Sequence, residues 1–418
     1  MVRLQQALAR VLVAGLYAGA LLACALRRRR RRQPRRSGRI AIAGTFFNTQ
    51  WFVSHATPLA RAGLGEVVVV ADAAPRSVPG VRFACPPAWL QRLVGRAGAK
   101  FLWMIRVGLR DRPDLYMGYH IMPNSLGALV VARLFGRAAC YQMTGGPIEV
   151  VGGGYACDNA LLRQVGRHSG VLERLALAVV RRFDFVAVRG QSARRFLLEQ
   201  GVTGPVEIIP GSVDPARFAP REERPYDLIF VGRLIPTKQP DQFVRVVAEL
   251  SRQRPGIRAV VVGDGELMAD LRRLAGALGA EQRLDFVGKQ ASSETYLPAA
   301  RVFMLPSRTE GLSIALAEAM MAGAVPVVAD VGDLADLVKT GETGYLVPPN
   351  DHEAYVRSVA LVLDDPDHWR RLSAAAVATA RAHVSLESVT RRWAECLDRL
   401  LPSQDAPVES EEGWAHRA

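Results

Sequence analysis

The chain alternates short runs of apolar residues with longer segments in which apolar residues recur at helical spacing. Nine of the short runs predict β-strands. They lie at 39–44, 66–71, 114–119, 185–189, 227–231, 259–263, 284–287, 302–305 and 325–329. Segments such as 125–135 and 192–200 predict helices between them. This alternation is typical of βαβ units, in which parallel strands are covered by helices.

The predicted strands fall into two series, separated by an apparent linker at 208–214. A chain of 418 residues is longer than one hydrophobic core usually organises, so two domains are expected. We predict an α/β fold with two Rossmann-like β/α/β domains that face a central cleft, over residues 37–208 and 209–384. A helix at about 385–401 is expected to pack back on the N-terminal domain, and residues 402–418 are predicted to be a disordered tail.

Parallel sheets of this kind bind ligands beyond the carboxyl ends of their strands, so the cleft is the expected site. The dinucleotide signature GxGxxG does not follow the first predicted strand, so no dinucleotide cofactor is expected. The acidic run at 364–367 predicts a helix boundary and not a metal site.

The N-terminal segment combines an apolar run at 11–26 with six consecutive arginines at 27–32. Eleven arginines and no lysine or acid lie in residues 1–39, so most of the net charge of +14 is located there. We therefore expect no nucleic-acid partner for the body of the chain. The charge follows the apolar run, unlike in a cleaved signal peptide. Residues 1–36 are predicted to be a membrane anchor or a membrane-surface segment, with a disordered arm as the alternative.

A second basic stretch, 89–112, mixes Trp, Leu, Phe and Met with Arg and Lys at near-helical spacing. It predicts either a membrane-surface helix or a helix that packs on the core and exposes its cations. Five scattered cysteines without a CxxC spacing fit a reducing compartment. We therefore expect a cytoplasmic protein attached to the cytoplasmic face of the membrane.

The segment 305–320 carries the first candidate chemistry. A strand is predicted to end near Leu305 and a helix to begin near Leu312 or Ser313. The free N–H groups and the dipole of such a helix start favour a phosphate. Glu310 precedes the helix and Glu318 lies inside it, about 12 Å further along at 1.5 Å per residue. That spacing matches the separation of the sugar and the ribose in a nucleotide sugar.

Two cations follow the predicted strand at 227–231. Arg233 offers a planar, multi-donor contact to phosphate, and Lys238 offers a compact charge. Together they are suited to neutralise a departing diphosphate.

With these residues in view, 226–351 resembles the donor domain of retaining glycosyltransferase family 4 (glycosyl transferases group 1), which has the GT-B fold. The matching motifs are VGRL-x3-K from Val231, VVGDGEL at 261–267, LDFVGK at 284–289, the segment from Leu305 to Ala329, and GETGYLVPPND at 341–351. The series covers about 125 residues in the order the family shows.

The resemblance implies a role for each matched residue. Arg233 and Lys238 are expected at the diphosphate, Glu310 at the donor sugar and Glu318 at the ribose. The remaining donor-binding positions implied are Gly263, Gly265, Gly288, Lys289, Gly311, Leu312 and Ser313. His120 follows a strand where the family places a cleft histidine, so it is expected to contact the acceptor or the sugar. With Glu310, Lys238 and Arg233 it forms the predicted catalytic set, and no metal or other cofactor is implied.

The implied reaction is transfer of a sugar, with retention at the anomeric carbon, from a nucleotide-diphosphate sugar to a hydroxyl of a glycan or lipid-linked acceptor. Cell-envelope or polysaccharide synthesis is the expected setting. Two alternatives stay open at this point. One is a nucleotide-sugar 2-epimerase of the same fold, and the other is an inactive membrane-associated scaffold.

Overall fold

The computed structural model describes residues 2–26, 37–46, 49–63, 65–74, 77–157 and 159–401. Within these residues the strands form two parallel sheets, one of seven and one of six strands. The predicted α/β class with two Rossmann-like sheets is confirmed. The predicted tail at 402–418 and the arginine run of the predicted anchor lie outside the described residues.

The first sheet lies in the N-terminal half. Its strands are β1 (Ile40–Ala43), β2 (Val67–Val70), β3 (Val81–Phe83), β4 (Leu115–Tyr119), β5 (Ala138–Met143), β6 (Phe185–Val188) and β7 (Val206–Ile208). Their order in space is β3-β2-β1-β4-β5-β6-β7. Every residue of β1, β2, β4 and β6 is buried, as expected for strands covered by helices on both faces. Because the order reverses between β1 and β4, a crevice opens there beyond the carboxyl ends.

The helices of this half cover both faces of the first sheet. They are α1 (Val2–Leu26), α2 (Thr49–Arg61), α3 (Ala88–Asp111), α4 (Leu126–Phe135), α5 (Ala160–Arg163), α6 (Gly170–Val180) and α7 (Gln191–Glu199). Helix α1 does not stand apart from the domain but lies against α4, α5 and α6.

The second sheet repeats the same plan. Its strands are β8 (Tyr226–Val231), β9 (Ala259–Val262), β10 (Leu284–Gly288), β11 (Ala300–Leu305), β12 (Val325–Ala329) and β13 (Tyr345–Val347). The accompanying helices are α8 (Pro240–Gln253), α9 (Met268–Ala277), α10 (Ile314–Met321), α11 (His352–Asp364), α12 (Pro366–Val384) and α13 (Leu386–Leu400). The strand order β10-β9-β8-β11-β12-β13 reverses between β8 and β11, so a second crevice opens at the ends of these two strands.

All nine strands predicted from apolar runs are present, each within two residues of its predicted bounds. The strands without a prediction are β3, β5, β7 and β13. Three of them are only three residues long, and β5 is interrupted by the polar but fully buried Gln142. The predicted helix boundary at 364–367 is confirmed, since the Asp365 carboxylate caps α12 by accepting hydrogen bonds from the N–H groups of Asp367 and His368, both at 2.9 Å.

The chain crosses between the halves twice. The first crossing follows β7, and Val213 pairs there with Ser385, which joins α12 to α13 at the second crossing. Helix α13 then packs against α2 of the N-terminal half. Trp393 on α13 is only 2% exposed and shares a hydrophobic cluster with Phe52 and Ile42. The last helix is therefore part of the N-terminal core.

The two halves also meet at the start of α7. The N–H of Gln191 donates to Asp336 Oδ2 at 2.7 Å, and the N–H of Ser192 donates to Asp333 Oδ1 at 2.8 Å. Both carboxylates belong to the C-terminal half and lie at the positive end of the α7 dipole, which favours negative charge. This contact fixes the loop after β12 against the N-terminal half.

We expect Trp393→Ala to lower the free energy of unfolding by about 3–5 kcal/mol, because truncation of a buried Trp leaves a cavity in the N-terminal core. Urea denaturation followed by circular dichroism measures the change. Trp89→Ala is the matched control, since Trp89 is 64% exposed and its loss should change stability little. A similar effect of both substitutions would contradict the packing of α13 described above.

Candidate functional site

The loops that follow β8 and β11 are tied together at the carboxyl edge of the second sheet. The N–H of Arg308 donates to the carbonyl of Thr237 at 2.9 Å. Lys238 Nζ lies 2.5 Å from Glu310 Oε1, and Ser307 Oγ donates to the same oxygen at 2.6 Å. The Glu310 side chain is only 7% exposed. Two of the predicted site residues, Lys238 and Glu310, are therefore in direct contact in a partly desolvated cluster.

Helix α10 begins directly after this cluster. Ser313 is its N-cap and accepts a hydrogen bond from Leu316 N at 3.4 Å, close to the start predicted at Leu312 or Ser313. The start of the helix faces the N-terminal half. A Cβ placed on Gly311 would lie 3.7 Å from the carbonyl oxygen of Thr144, and one on Gly211 would meet Ile314. The positive end of the α10 dipole thus points to the gap between the sheets.

Glu318 lies one turn into α10 and is 5% exposed. Ser293 Oγ donates to its Oε2 at 2.6 Å, and Gln50 Nε2 reaches its Oε1 at 3.4 Å. Burial raises the pKa of the Glu318 carboxyl, and the hydrogen bonds from Ser293 and Gln50 offset this shift only in part. Gln50 belongs to α2, so the two halves of the chain meet at this carboxylate.

A second pair of contacts secures Gln50. Arg217 Nη1 donates to Gln50 Oε1 at 3.4 Å, while its Nη2 donates to Ser292 Oγ at 3.1 Å. Arg217 Nε also lies 2.8 Å from Glu294 Oε2. The sequence analysis missed Gln50, Ser293 and Arg217. A possible signal was the polar segment 290–294, which directly follows the LDFVGK motif.

The remaining predicted cation, Arg233, is exposed on the loop after β8, five residues before Lys238. Gly263 and Gly265 pack their backbone against this loop. A Cβ on Gly263 would lie 1.8 Å from the carbonyl oxygen of Gly232, and one on Gly265 would lie 2.4 Å from that of Leu234. Only glycine permits this approach, so both glycines support the position of the Arg233 loop.

Gly288 and Lys289 border the same region. The N–H of Gly263 donates to the carbonyl of Gly288 at 2.9 Å, which connects the ends of β9 and β10. Lys289 follows at once and is exposed. All four predicted positions at 263, 265, 288 and 289 are therefore neighbours at one edge of the second sheet.

His120 directly follows β4, on the opposite side of the gap. Its φ is 60°, which is unusual for a residue other than glycine. Its ring is half-exposed, and Nδ1 lies 2.9 Å from Glu149 Oε1. The hydroxyl of Thr144 lies 3.1 Å from the same nitrogen. Thr144 belongs to the N-terminal half and lies opposite Gly311, because a Cβ on Gly311 would be 3.7 Å from its carbonyl oxygen. The histidine therefore lies across the gap from the start of α10.

Glu149 is the buried partner that orients this histidine, and the sequence analysis missed it. It is 2% exposed and accepts hydrogen bonds from Tyr141 Oη at 2.7 Å and Gly145 N at 2.5 Å. Burial alone would raise the pKa of its carboxyl, but the His120 charge and these hydrogen bonds bring the pKa below its usual value. With Nδ1–H donated to the carboxylate, Nε2 of His120 lies 3.2 Å from the Thr144 hydroxyl.

In the part of the chain that the structure describes, no group of three or more His, Cys, Asp or Glu side chains is arranged to hold a metal ion. The ionisable groups described above are instead the Lys238–Glu310 ion pair, the two buried carboxylates of Glu149 and Glu318, the exposed Arg233 and His120. Such a set can neutralise an anion at the α10 start and donate to or accept from hydroxyl groups.

Glu149→Gln should destabilise the fold by roughly 1.5–3 kcal/mol at pH 7, the range for hydrogen bonds to a charged group. The pKa of Glu149 is lower in the folded than in the unfolded state, so its contribution is present above pH 4.3, about the unfolded value, and is lost as the pH falls through the lowered value. Denaturation at pH 7 and pH 3.5 tests this, with the exposed Glu353→Gln as control. A pH-independent difference would contradict the assigned charge.

Glu318→Gln should have the opposite effect on stability. The raised pKa means that the protonated group favours the fold below the unfolded pKa, and that this contribution is lost as the pH rises through the raised value. At pH 7 the buried charge of the Glu318 carboxylate destabilises the native fold, whereas the amide of the variant is neutral. The variant should therefore have the higher melting temperature. The gain should vanish near pH 4. A lower melting temperature at pH 7 would show that the charge is stabilised by its partners.

Comparison with known proteins relates the half of the chain that carries this site to a protein family. Residues 214–379 match the family described as glycosyl transferases group 1. The D-inositol 3-phosphate glycosyltransferase of Nocardia farcinica is 31% identical over 224 residues, which cover 49% of this chain and 48% of that protein. A GDP-mannose-dependent alpha-(1-6)-phosphatidylinositol monomannoside mannosyltransferase of Mycolicibacterium smegmatis is 34% identical over 218 residues, with 46% and 55% covered. The chain thus spans about half the length of these relatives.

Solved structures extend the likeness to the whole fold. The structure of Anabaena Alr3699/HepE in complex with UDP and glucose superposes with a TM-score of 0.69 at 17% identity, over 86% of this chain and 99% of that one. Identity at this level speaks for the fold alone. The family match covers the half that carries Lys238, Glu310 and Glu318, and the structural match covers both sheets. Residues 214–379 therefore match the glycosyl transferases group 1 family, and the chain has the GT-B fold of two Rossmann-like sheets.

Proposed function

We propose that the chain is a retaining glycosyltransferase, which transfers a sugar from a nucleotide-diphosphate sugar to a hydroxyl of a glycan or lipid-linked acceptor in cell-envelope or polysaccharide synthesis. The observation that carries this proposal is the cluster of Lys238, Glu310 and Ser307 at the start of α10. A cation, a carboxylate and a helix N-terminus converge there and face the other half of the chain.

The diphosphate of the donor would bind at the start of α10, beside the backbone of Gly311, Leu312 and Ser313. The helix dipole and the free N–H groups favour an anion at this position. Lys238 and the exposed Arg233 would supply positive charge. As the bond between the sugar and the diphosphate breaks, negative charge grows on the phosphate oxygens, and preorganised cations stabilise that charge.

Glu310 would bind hydroxyl groups of the donor sugar. Its Oε1 already accepts from Lys238 and Ser307, so the carboxylate is held in one orientation before the donor arrives. Such preorganisation reduces the cost of ordering the site on binding. The ion pair also keeps Lys238 beside the position proposed for the diphosphate.

Glu318 would accept hydrogen bonds from the ribose hydroxyls, one turn deeper in the same helix. Two hydroxyl donors would offset part of the desolvation that raises the pKa of its carboxyl. The base would lie towards Gly263, Gly265, Gly288 and Lys289, at the neighbouring strand ends. The donor would thus extend along the edge of the second sheet, from Glu310 to β10.

The acceptor hydroxyl would approach from the N-terminal half. His120 lies across the gap from the α10 start, where its ring would form a hydrogen bond to the sugar or the acceptor. In a retaining reaction the acceptor attacks the face from which the diphosphate departs, and a phosphate oxygen can take the proton. The chain would then need no strongly basic side chain and no metal ion.

A lipid-linked acceptor and attachment to the cytoplasmic face of the membrane complete the proposal. The mannosyltransferase relative carries a phosphatidylinositol monomannoside in its name. Helix α1 contains a stretch, Arg3–Leu26, that is long and apolar enough to cross a membrane by length and composition. Both features support a membrane setting for the acceptor.

A thermal-shift screen with UDP-, GDP- and ADP-sugars tests donor binding, because a ligand that binds only the folded state stabilises it by about 2.7 kcal/mol at 100 times its Kd. Lys238→Ala and Glu310→Ala should weaken binding of the responsive sugar tenfold or more, since each removes a charge-assisted contact worth roughly 1.5–3 kcal/mol. The exposed Lys339→Ala and Glu353→Ala are matched controls and should bind normally. Equal shifts for all four variants would refute the proposed site.

Incubation of the responsive nucleotide sugar with and without a polyprenyl-linked or glycolipid acceptor then separates the reactions. A transferase releases nucleoside diphosphate in step with an acceptor-dependent product in which the anomeric configuration is retained. An epimerase consumes the donor without an acceptor, and a scaffold leaves it unchanged. Either of the last two results would replace the proposed reaction.

A further inference from the structure

Helix α1 is attached to the N-terminal half along its length. Near its beginning, the guanidinium of Arg10 donates to the carbonyl of Val165 from Nε at 3.1 Å and from Nη2 at 2.9 Å. In the middle, the side chains of Val13 and Tyr17 are fully buried in the core shared with α4 and α6. Ala20 continues the same face and is 2% exposed. One side of this apolar helix is therefore an integral part of the domain.

The opposite side of α1 is exposed and equally apolar. It presents Leu4, Leu8, Val11, Leu12, Leu16, Leu22 and Leu26, which are 41–77% exposed. An apolar stripe of this length on a soluble surface marks a binding surface. We call these seven residues the outer face of α1.

We propose that α1 lies in the plane of a lipid bilayer surface, with its outer face among the acyl chains, and does not cross the membrane. A spanning helix would have to leave the domain, which would expose Val13 and Tyr17 and break the Arg10 contacts. With those contacts intact, the helix axis runs along the domain surface, and only one side of the helix can reach lipid. This is the arrangement of a protein that lies on the membrane without spanning it, with one apolar face in the interfacial region.

Helix α3 also exposes apolar residues. Helices α1 and α3 both pack against α4. The backbone of α3 departs from helical geometry at Gly95. Trp89, Leu93 and Val94 are exposed before this break, Leu102 and Leu109 are exposed after it, and α4 exposes Leu134. Apolar residues exposed on several neighbouring helices favour a bilayer over a narrow groove for a peptide.

The charges on α3 favour an anionic bilayer as the partner. This helix carries the exposed Arg92, Arg96, Arg106 and Arg110. Basic residues near an anionic leaflet each add about 1 kcal/mol of attraction. A second copy of this chain would bring the same positive charge to the contact and would be repelled.

The in-plane position couples the membrane to the proposed acceptor side of the cleft. Tyr17 lies in the same hydrophobic cluster as Tyr141, whose hydroxyl donates to Glu149 Oε2 at 2.7 Å. Glu149 in turn holds His120. The helix proposed to lie on the bilayer therefore shares a core with the residues that position the histidine. This consequence rests on the proposed function, whereas the orientation of α1 does not.

Labelling with a membrane-impermeant maleimide tests the orientation in the full chain. Arg3→Cys places a thiol at the beginning of α1, and Glu342→Cys places one on the exposed surface of the C-terminal half. In inside-out membrane vesicles both should react equally, after subtraction of the signal of the native cysteines. Reaction of the Glu342→Cys thiol with protection of the Arg3→Cys thiol would show a membrane span and overturn the proposal.

Flotation with vesicles of phosphatidylglycerol and phosphatidylcholine tests the outer face. Leu8→Glu with Leu12→Glu should reduce vesicle binding about tenfold or more, because both leucines would leave the acyl region. Leu198→Glu with Leu361→Glu, two exposed leucines on other helices, is the matched control and should bind normally. Unchanged binding of the α1 variant, or a change only in oligomeric state by light scattering, would refute lipid as the partner.

Both measurements are independent of sugar transfer. A chain that binds vesicles in the expected orientation but shows no donor-dependent thermal shift would refute the proposed function alone. A chain that transfers sugar but shows a spanning α1 would refute the in-plane orientation alone.

Discussion

The contact between Lys238 and Glu310 is the constraint on which the arrangement of the C-terminal site depends. It joins the turn after β8 to the turn after β11, the two strands between which the order of the sheet reverses. Such a partly buried pair requires good geometry, since desolvation of two charges opposes their attraction. Ser307 and the backbone bond from Arg308 to Thr237 supply that geometry. The start of α10 follows directly, so its orientation towards the gap is a consequence of the same contact.

The two buried carboxylates of the cleft show how differently one functional group can be held. Glu149 is surrounded by donors, and the interactions that favour its charge prevail over burial. Glu318 has fewer donors, and burial prevails. A satisfied carboxylate is suited to orient a neighbour such as His120. A buried carboxylate with fewer hydrogen-bond donors can still accept hydrogen bonds from a ligand. Binding of that ligand would then offset part of the free-energy cost of burying the charge.

Much of the fold was predictable because burial on both faces of a parallel strand demands a continuous apolar run. Strands such as β2, with four consecutive valines, carry that signal in the sequence itself. The edge strands β3, β7 and β13 do not, because three residues give no period. Apart from His120, the site residues that were predicted lie within one motif-rich segment, 226–351. Gln50 and Glu318 are separated by 268 positions, and only the packing of the two halves brings them together.

The environment of helix α1 also could not be predicted from the sequence alone. Its composition indicates contact with an apolar environment on all sides, but composition cannot distinguish a protein core from lipid, because both select Leu, Val and Ala. The distinction comes from the two sides of the helix. Tyr17 and Val13 are fully buried in the protein core, whereas the residues of the outer face are 41–77% exposed. An isolated span would leave Tyr17 among lipids, whereas its side chain is fully buried in protein. The helix is therefore a structural element of the N-terminal half, and its exposed second side is the one that we propose faces the bilayer.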